Sequence, residues 1–96
     1  MRLILSPTRS DAKLRLKRQG DSLIVNGKAH DFADLAIGQS RPAAGLGDWC
    51  AADPYRDADG TLVLTVRLPH GAKASKKRLY PSPIEVTKDG AIRLPR

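Results

Sequence analysis

Two histidines, one cysteine, a cluster of aspartates and two clusters of cations are the side chains in this 96-residue sequence whose types and spacing could do chemistry. His30 and His70 each stand beside a turn, with no partner set at close spacing for proton transfer or metal ligation, so each is expected as an exposed loop histidine. Cys50 has no second cysteine to bridge to or to share a zinc ion with, and between Trp49 and Ala51 it reads as a small buried hydrophobe. Asp53, Asp57, Asp59 and Gly60 invite a calcium loop. Aligning them with the EF-hand pattern puts Tyr55 at the first ligand position and Val66 where the closing glutamate belongs, so a solvated acidic turn is expected instead. Neither a nucleophile elbow nor a phosphate-binding loop is present. On these residues no catalytic group, no metal ligand and no cofactor is assigned, and the expectation is a protein that is not an enzyme.

The cations carry more. Lys13, Arg15 and Lys17 alternate with Leu14 and Leu16, which sets three positive charges along one face of a strand. Lys73, Lys76, Lys77 and Arg78 crowd a stretch that reads as a loop. Together they could neutralise several phosphates, so a small basic barrel binding nucleic acid is one functional reading. Single-strand readers of that type also stack bases on exposed aromatics. Only Phe32, Trp49, Tyr55 and Tyr80 are available, and a small core is expected to claim Phe32 and Trp49. The competing expectation is a charged solvent face that discourages aggregation at a sheet edge.

Four turn signals organise the elements that would position these groups: Gln19-Gly20-Asp21, Asn26-Gly27, Asp59-Gly60 and Asp89-Gly90. Gly, Asn and Asp tolerate the positive φ angles of two-residue hairpin loops, and each signal borders an alternating segment. A short strand at Leu3–Leu5 is expected to end at Ser6-Pro7, because proline removes a ladder donor. Strands at 13–17, 22–25 and around Ala29 make a meander. One helical turn at 32–37, with Asp31 as its N-cap, can open the long Gly- and Pro-containing connection over 34–47. Pro54 keeps the segment from Asp48 to Tyr55 away from the centre of a sheet. Thr61–Leu68 is the expected central strand, with Leu62, Leu64, Val66 and Leu68 on one face. Ile84 and Val86 begin a last alternating segment, and Asp89-Gly90 returns the chain through Ile92 and Leu94. The pattern predicts one all-β domain over 1–96, a small antiparallel sandwich or barrel of about seven short strands built from hairpins, with one long irregular connection.

The net charge of +7 is uneven: residues 1–30 hold seven Lys/Arg against two Asp, 31–60 two against six, and 61–96 eight against two. The acidic middle is expected to pair with the basic ends across neighbouring strands, or else to steer a partner. Nothing approaches the ~18 consecutive apolar residues of a membrane span. The apolar run at Leu3–Leu5 is too short for a signal-peptide core, so a product of the bacterial cytoplasm is expected.

With its segments laid out, the chain resembles small proteins encoded in the tail-gene regions of tailed bacteriophages and prophages. The resemblance rests on the opening Ile4-Leu5-Ser6-Pro7-Thr8-Arg9-Ser10-Asp11, on Gly20-Asp21-Ser22-Leu23-Ile24-Val25-Asn26-Gly27 followed by Asp31-Phe32, on Trp49, on Arg67-Leu68-Pro69-His70-Gly71, and on Pro81–Gly90. It implies a tail or tail-fibre-region accessory with no assigned enzymatic activity, found in the host cytoplasm or incorporated in a virion. Its partners would be tail or tail-fibre proteins, or copies of itself through sheet edges, and no membrane. The basic Lys76-Lys77-Arg78 departs from the more acidic character expected of relatives. Trp49 and Tyr55 are the candidate partner-binding residues, since aromatic side chains dominate interface energetics.

Overall fold

Leu62–His70, the longest alternating segment, becomes the strand that two others pair with. A computed structural model describes residues 1–95. In chain order the strands are β1 (Arg2–Arg9), β2 (Leu16–Gln19), β3 (Ser22–Val25), β4 (Lys28–Asp31), β5 (Cys50–Arg56), β6 (Leu62–His70), β7 (Ile84–Glu85) and β8 (Gly90–Ala91). A 3₁₀ turn covers Ala43–Gly45, and a one-turn helix, α1, covers Lys76–Leu79. The strands form two four-stranded sheets, in the orders β5-β6-β1-β7 and β4-β3-β2-β8.

Among the described residues the fold is all-β, a pair of facing sheets with no closed barrel. One cluster of buried side chains joins them: Leu3, Leu5, Leu64, Val66 and Leu68 from the first sheet meet Leu16, Leu23 and Val25 from the second, with Phe32 and Leu35. Period-two alternation produces both inner faces, as the leucine and valine positions require.

The central sheet departs from an all-antiparallel plan. β1 runs parallel to β6 over its whole length, from Arg2 opposite Val63 to Arg9 opposite His70. It passes straight through Pro7 instead of stopping before it. The Ser10 N–H donates to the His70 carbonyl, which directs the even-numbered N–H groups of β1 toward β6. The Pro7 nitrogen therefore faces the other side, where β7 pairs only with Arg2 and Leu3. No ladder donor is lost there.

Two hairpins form as the turn signals predict. β2 and β3 pair from Gln19 opposite Ser22, and β3 and β4 from Val25 opposite Lys28. Between the latter, Asn26 (φ 49°) and Gly27 (φ 88°) both adopt positive φ, the pattern of a type I′ turn. Asp59-Gly60 joins β5 to β6, and the Asp57 carboxylate accepts the N–H groups of Asp59 and Thr61, so the acidic cluster is a backbone-bonded turn. Asp89-Gly90 is not a hairpin: β7 belongs to the first sheet and β8 to the second, so the chain changes sheets there. The Asp89 carboxylate instead accepts the Gly20 N–H and ties the β2–β3 turn.

The 32–37 stretch makes isolated turns and no helix, because the Asp31 carboxylate closes on the Ala33 N–H and no run of helical bonds follows. Beyond it the long connection lies along the outer edge of β5. Gly38 N–H donates to Arg56 O, Arg56 N–H to Gln39 O, and Arg41 N–H to Pro54 O. β5 pairs with β6 through two register shifts, as befits an edge strand that contains Pro54. Arg56 fixes the wrap, its guanidinium donating to the carbonyls of Leu35, Phe32 and Gly60. The basic loop after β6 holds α1, N-capped by Ser75. No helix among the described residues is long and apolar enough to cross a membrane.

Leu64 is fully buried on the central strand, whereas Ile4 on β1 keeps 37% of its surface exposed. Leu64→Ala should lower unfolding free energy by ~2–5 kcal/mol, and Ile4→Ala by well under half of that. Urea titrations with an unchanged m value check both.

Candidate functional site

The second sheet's outer face is built from register. Lys17 on β2 lies opposite Ile24 on β3 and Ala91 on β8, and Ile24 lies opposite Ala29 on β4. These four side chains share the side away from the core, since paired residues point the same way. Arg15 precedes Lys17 by two and joins the same face. The Ile92 N–H donates to Leu16 O, which carries the β2–β8 register onward and sets Arg93 beside Arg15.

Strand geometry alone does not hold Lys13 and Arg15, because β2 begins only at Leu16. The expected strand over 13–17 is thus shorter than its alternation suggests. The amide of Asn26 takes over: Oδ1 accepts the Arg15 N–H at 2.7 Å, Nδ2 donates to Lys13 O at 3.1 Å, and the Asn26 N–H donates to Arg15 O. The turn residue that the I′ geometry requires also splints the basic segment.

Lys13, Arg15 and Lys17 are exposed and line one open cleft with Ile24, Asn26 and Gly27. Arg15 and Lys17 line the next with Arg78, Arg93, Ile92 and Leu94. Arg93 and Lys77 line a third, with Tyr80 at its far side. The two cation clusters of the sequence thus meet around residues 91–95. Arg78 is only partly available, because its guanidinium donates to Pro69 O and Pro95 O and clamps the C-terminal segment to β6. Lys73 and Lys76 are exposed but do not line these clefts. Arg93 is the member that sequence reasoning missed. Its signal was present in the alternation of Ile92, Arg93 and Leu94, which points the cation outward.

The row stays uncompensated. The ion pairs among the described residues are Arg2–Glu85, Arg9–Asp11, Arg18–Asp89, Arg41–Asp34 and Arg56–Asp21. None involves Lys13, Arg15, Lys17, Lys77 or Arg93. Most of the middle segment's aspartates serve backbone turns or local arginines, so the expected pairing of acidic middle with basic ends does not form.

Trp49 is half-buried against the core, and its indole N–H donates to Leu46 O at 3.0 Å. Gly47 (φ 122°) lies against it, where an added Cβ would come within 3.2 Å of the ring. His30, expected as an exposed loop side chain, is instead half-buried on β4, and its ring leans on Trp49 at 4.9 Å between centroids. The remaining indole surface lines a cleft with Lys13, Asn26 and Arg67. Tyr55, 43% exposed, lies elsewhere, on the first sheet's outer face. Cys50 is buried, donates to Ala52 O, and burial pushes its thiol pKa up. His70 sits by the Gly71 carbonyl. Among the described residues no three His, Cys, Asp or Glu side chains gather where they could hold a metal ion.

The sequence matches no protein-family model, and no curated protein or solved structure matches it significantly.

Burial first, and then Lys28, hold His30 below the usual imidazole pKa. The unfolded chain therefore takes up this proton first as pH falls below about 6.5, and His30 costs the fold stability from there down to its folded pKa. His30→Gln should flatten that slope in unfolding measurements. Because imidazolium quenches a neighbouring indole, Trp49 emission should fall with a midpoint below about 6.5 in the native protein only. Asn26→Gly keeps the turn and removes the amide. It should cost about 1–2 kcal/mol and speed hydrogen exchange at Arg15.

Proposed function

We propose that the protein is a non-enzymatic accessory of a phage or prophage tail region that works through protein–protein contacts. The observation that carries this reading is the outer face of the first sheet. Tyr55 lies opposite Val63, which is itself only 2% exposed, and Val63 opposite Arg2, while Ile4 lies opposite Thr65, so one aromatic and one aliphatic side chain share an outward patch. Tyr55 and Ile4 remain 43% and 37% exposed there. An aromatic beside an aliphatic side chain is the composition of an interface centre, and the Arg2–Glu85 pair supplies a polar border.

The sheet edges support face docking over strand addition. The long connection covers the edge of β5, and β7 and β8 are two residues each. Only β4 offers an edge of four residues. On the resemblance to tail-region proteins, the partners would be tail or tail-fibre proteins, and the work would be done in the host cytoplasm or the virion. Trp49, half-buried and hydrogen-bonded, serves first as a core anchor on this reading, with Tyr55 as the contact.

Tyr55→Ala should weaken capture of the products of neighbouring tail genes at least tenfold while leaving circular dichroism unchanged. Binding at wild-type strength would sink the proposal. Light scattering shows whether the same substitution also dissolves a self-associated form.

A further inference from the structure

The second sheet's outer face carries a different ligand chemistry, and the argument for it does not rest on the tail-region reading. We propose that this face, continued to the Trp49 cleft at one end and the Tyr80 cleft at the other, binds single-stranded nucleic acid. Neighbouring clefts share lining residues, so the surface is continuous. Lys13 and Asn26 line both the Trp49 cleft and the next, Arg15 and Lys17 link that one to the C-terminal segment, and Arg93 links this to Tyr80.

Three features select the ligand. Five exposed cations, Lys13, Arg15, Lys17, Lys77 and Arg93, have no ion-pair partner among the described residues, which is the footprint of a phosphate backbone. The floor between them, Ile24, Ala29 and Ala91, is small and apolar, so sugars and bases can approach without displacing a bound polar group. An aromatic ring stands at each end, Tyr80 80% exposed and Trp49 half-buried. Unstacked bases offer π faces to such rings, whereas a duplex keeps its bases stacked and an acidic peptide has none.

The row also does not guard a sheet edge. Lys17 lies on β2, which is flanked by β3 and β8, and Lys13 and Arg15 lead into that strand. Suppression of edge pairing therefore does not account for these three cations.

The test is fluorescence anisotropy of a labelled oligo-dT of about 12 nucleotides, within the ~4–16-nucleotide sites of small single-strand binders, across a salt series. With five phosphates neutralised, log K should fall against log[salt] with a slope of about −3.5, at ~0.7 per contact. The triple variant Arg15→Ala/Lys17→Ala/Arg93→Ala should reduce that slope by about 2, while Lys73→Ala/Lys76→Ala/Lys88→Ala, which removes the same charge elsewhere, should change it little. Trp49 is the sole tryptophan, and the oligonucleotide should quench its emission. Circular dichroism confirms folding, and the single Lys17→Ala variant gives the same direction if a triple proves unstable.

Absence of binding at low salt overturns the proposal. So does equal loss from the two triples, which would mean diffuse attraction. Equal or tighter binding of a duplex, or of a polyglutamate peptide, without Trp49 quenching would overturn it in favour of those ligands.

Discussion

The parallel pairing of β1 with β6 is the constraint on which the rest of this molecule depends. It sets Leu3 against Leu64 and Leu5 against Val66 on one inner face, and all four side chains are at most 6% exposed. Parallel neighbours cannot be joined by a tight turn, so the intervening chain has to leave the sheet and return. It does so as the β2–β4 meander, which becomes the second sheet, and then as the 34–47 connection. The second sheet is therefore the crossover made useful: it covers the apolar face that β1 and β6 create. Because Arg2 pairs with Val63, folding cannot complete the first sheet until distant segments meet, a slow class of contact.

That division gives the two outer faces their different characters. The first sheet is apolar on its outer side as well, where Ile4 and Tyr55 stay exposed and Val63 is covered to 2% exposure. The outer face of the second sheet instead sets Lys17, with the flanking Arg15 and Arg93, around Ile24, Ala29 and Ala91. Solvation costs permit both, since a sandwich needs only its inner faces dry.

Period-two alternation made the elements readable where burial is one-sided. Lys13–Lys17 displays its inward leucines and outward cations directly, and Leu62–Leu68 declares its central place by its apolarity. Asn26-Gly27 reveals its turn because few residue pairs tolerate two positive φ angles. Partnering was not readable. Nothing in Leu3-Ile4-Leu5 says that its neighbour is the distant Leu64–Val66 segment and runs parallel, and Pro7 argues for a stop unless the direction of each N–H is known. Asp89-Gly90 has turn chemistry, but turn chemistry does not reveal which sheet the next strand joins. The same gap hid the site. Lys17 and Arg93 are far apart in sequence, and only the β2–β8 register makes them neighbours, whereas Arg78, conspicuous in a basic run, is occupied by two carbonyls.

The basic row has an energetic cost that bears on its meaning. Like charges on adjacent strands repel by a few tenths of a kcal/mol to ~1 kcal/mol where they lie opposite, as Arg15 and Arg93 do on the extended register. Solvent and salt screen much of this, but no carboxylate among the described residues offsets it by an ion pair. Carboxylates are available nearby: Asp21 and Asp89 sit at the far turn of the same sheet and face Arg56 and Arg18 instead. A fold selected only for stability would mix the signs over one sheet face. Here the acids gather at the Gly20 turn, while Asn26, a neutral amide, does the work of holding Lys13 and Arg15 in place. The neutral amide, which accepts from the Arg15 N–H and donates to Lys13 O, leaves the full charge of the row to whatever anion approaches it.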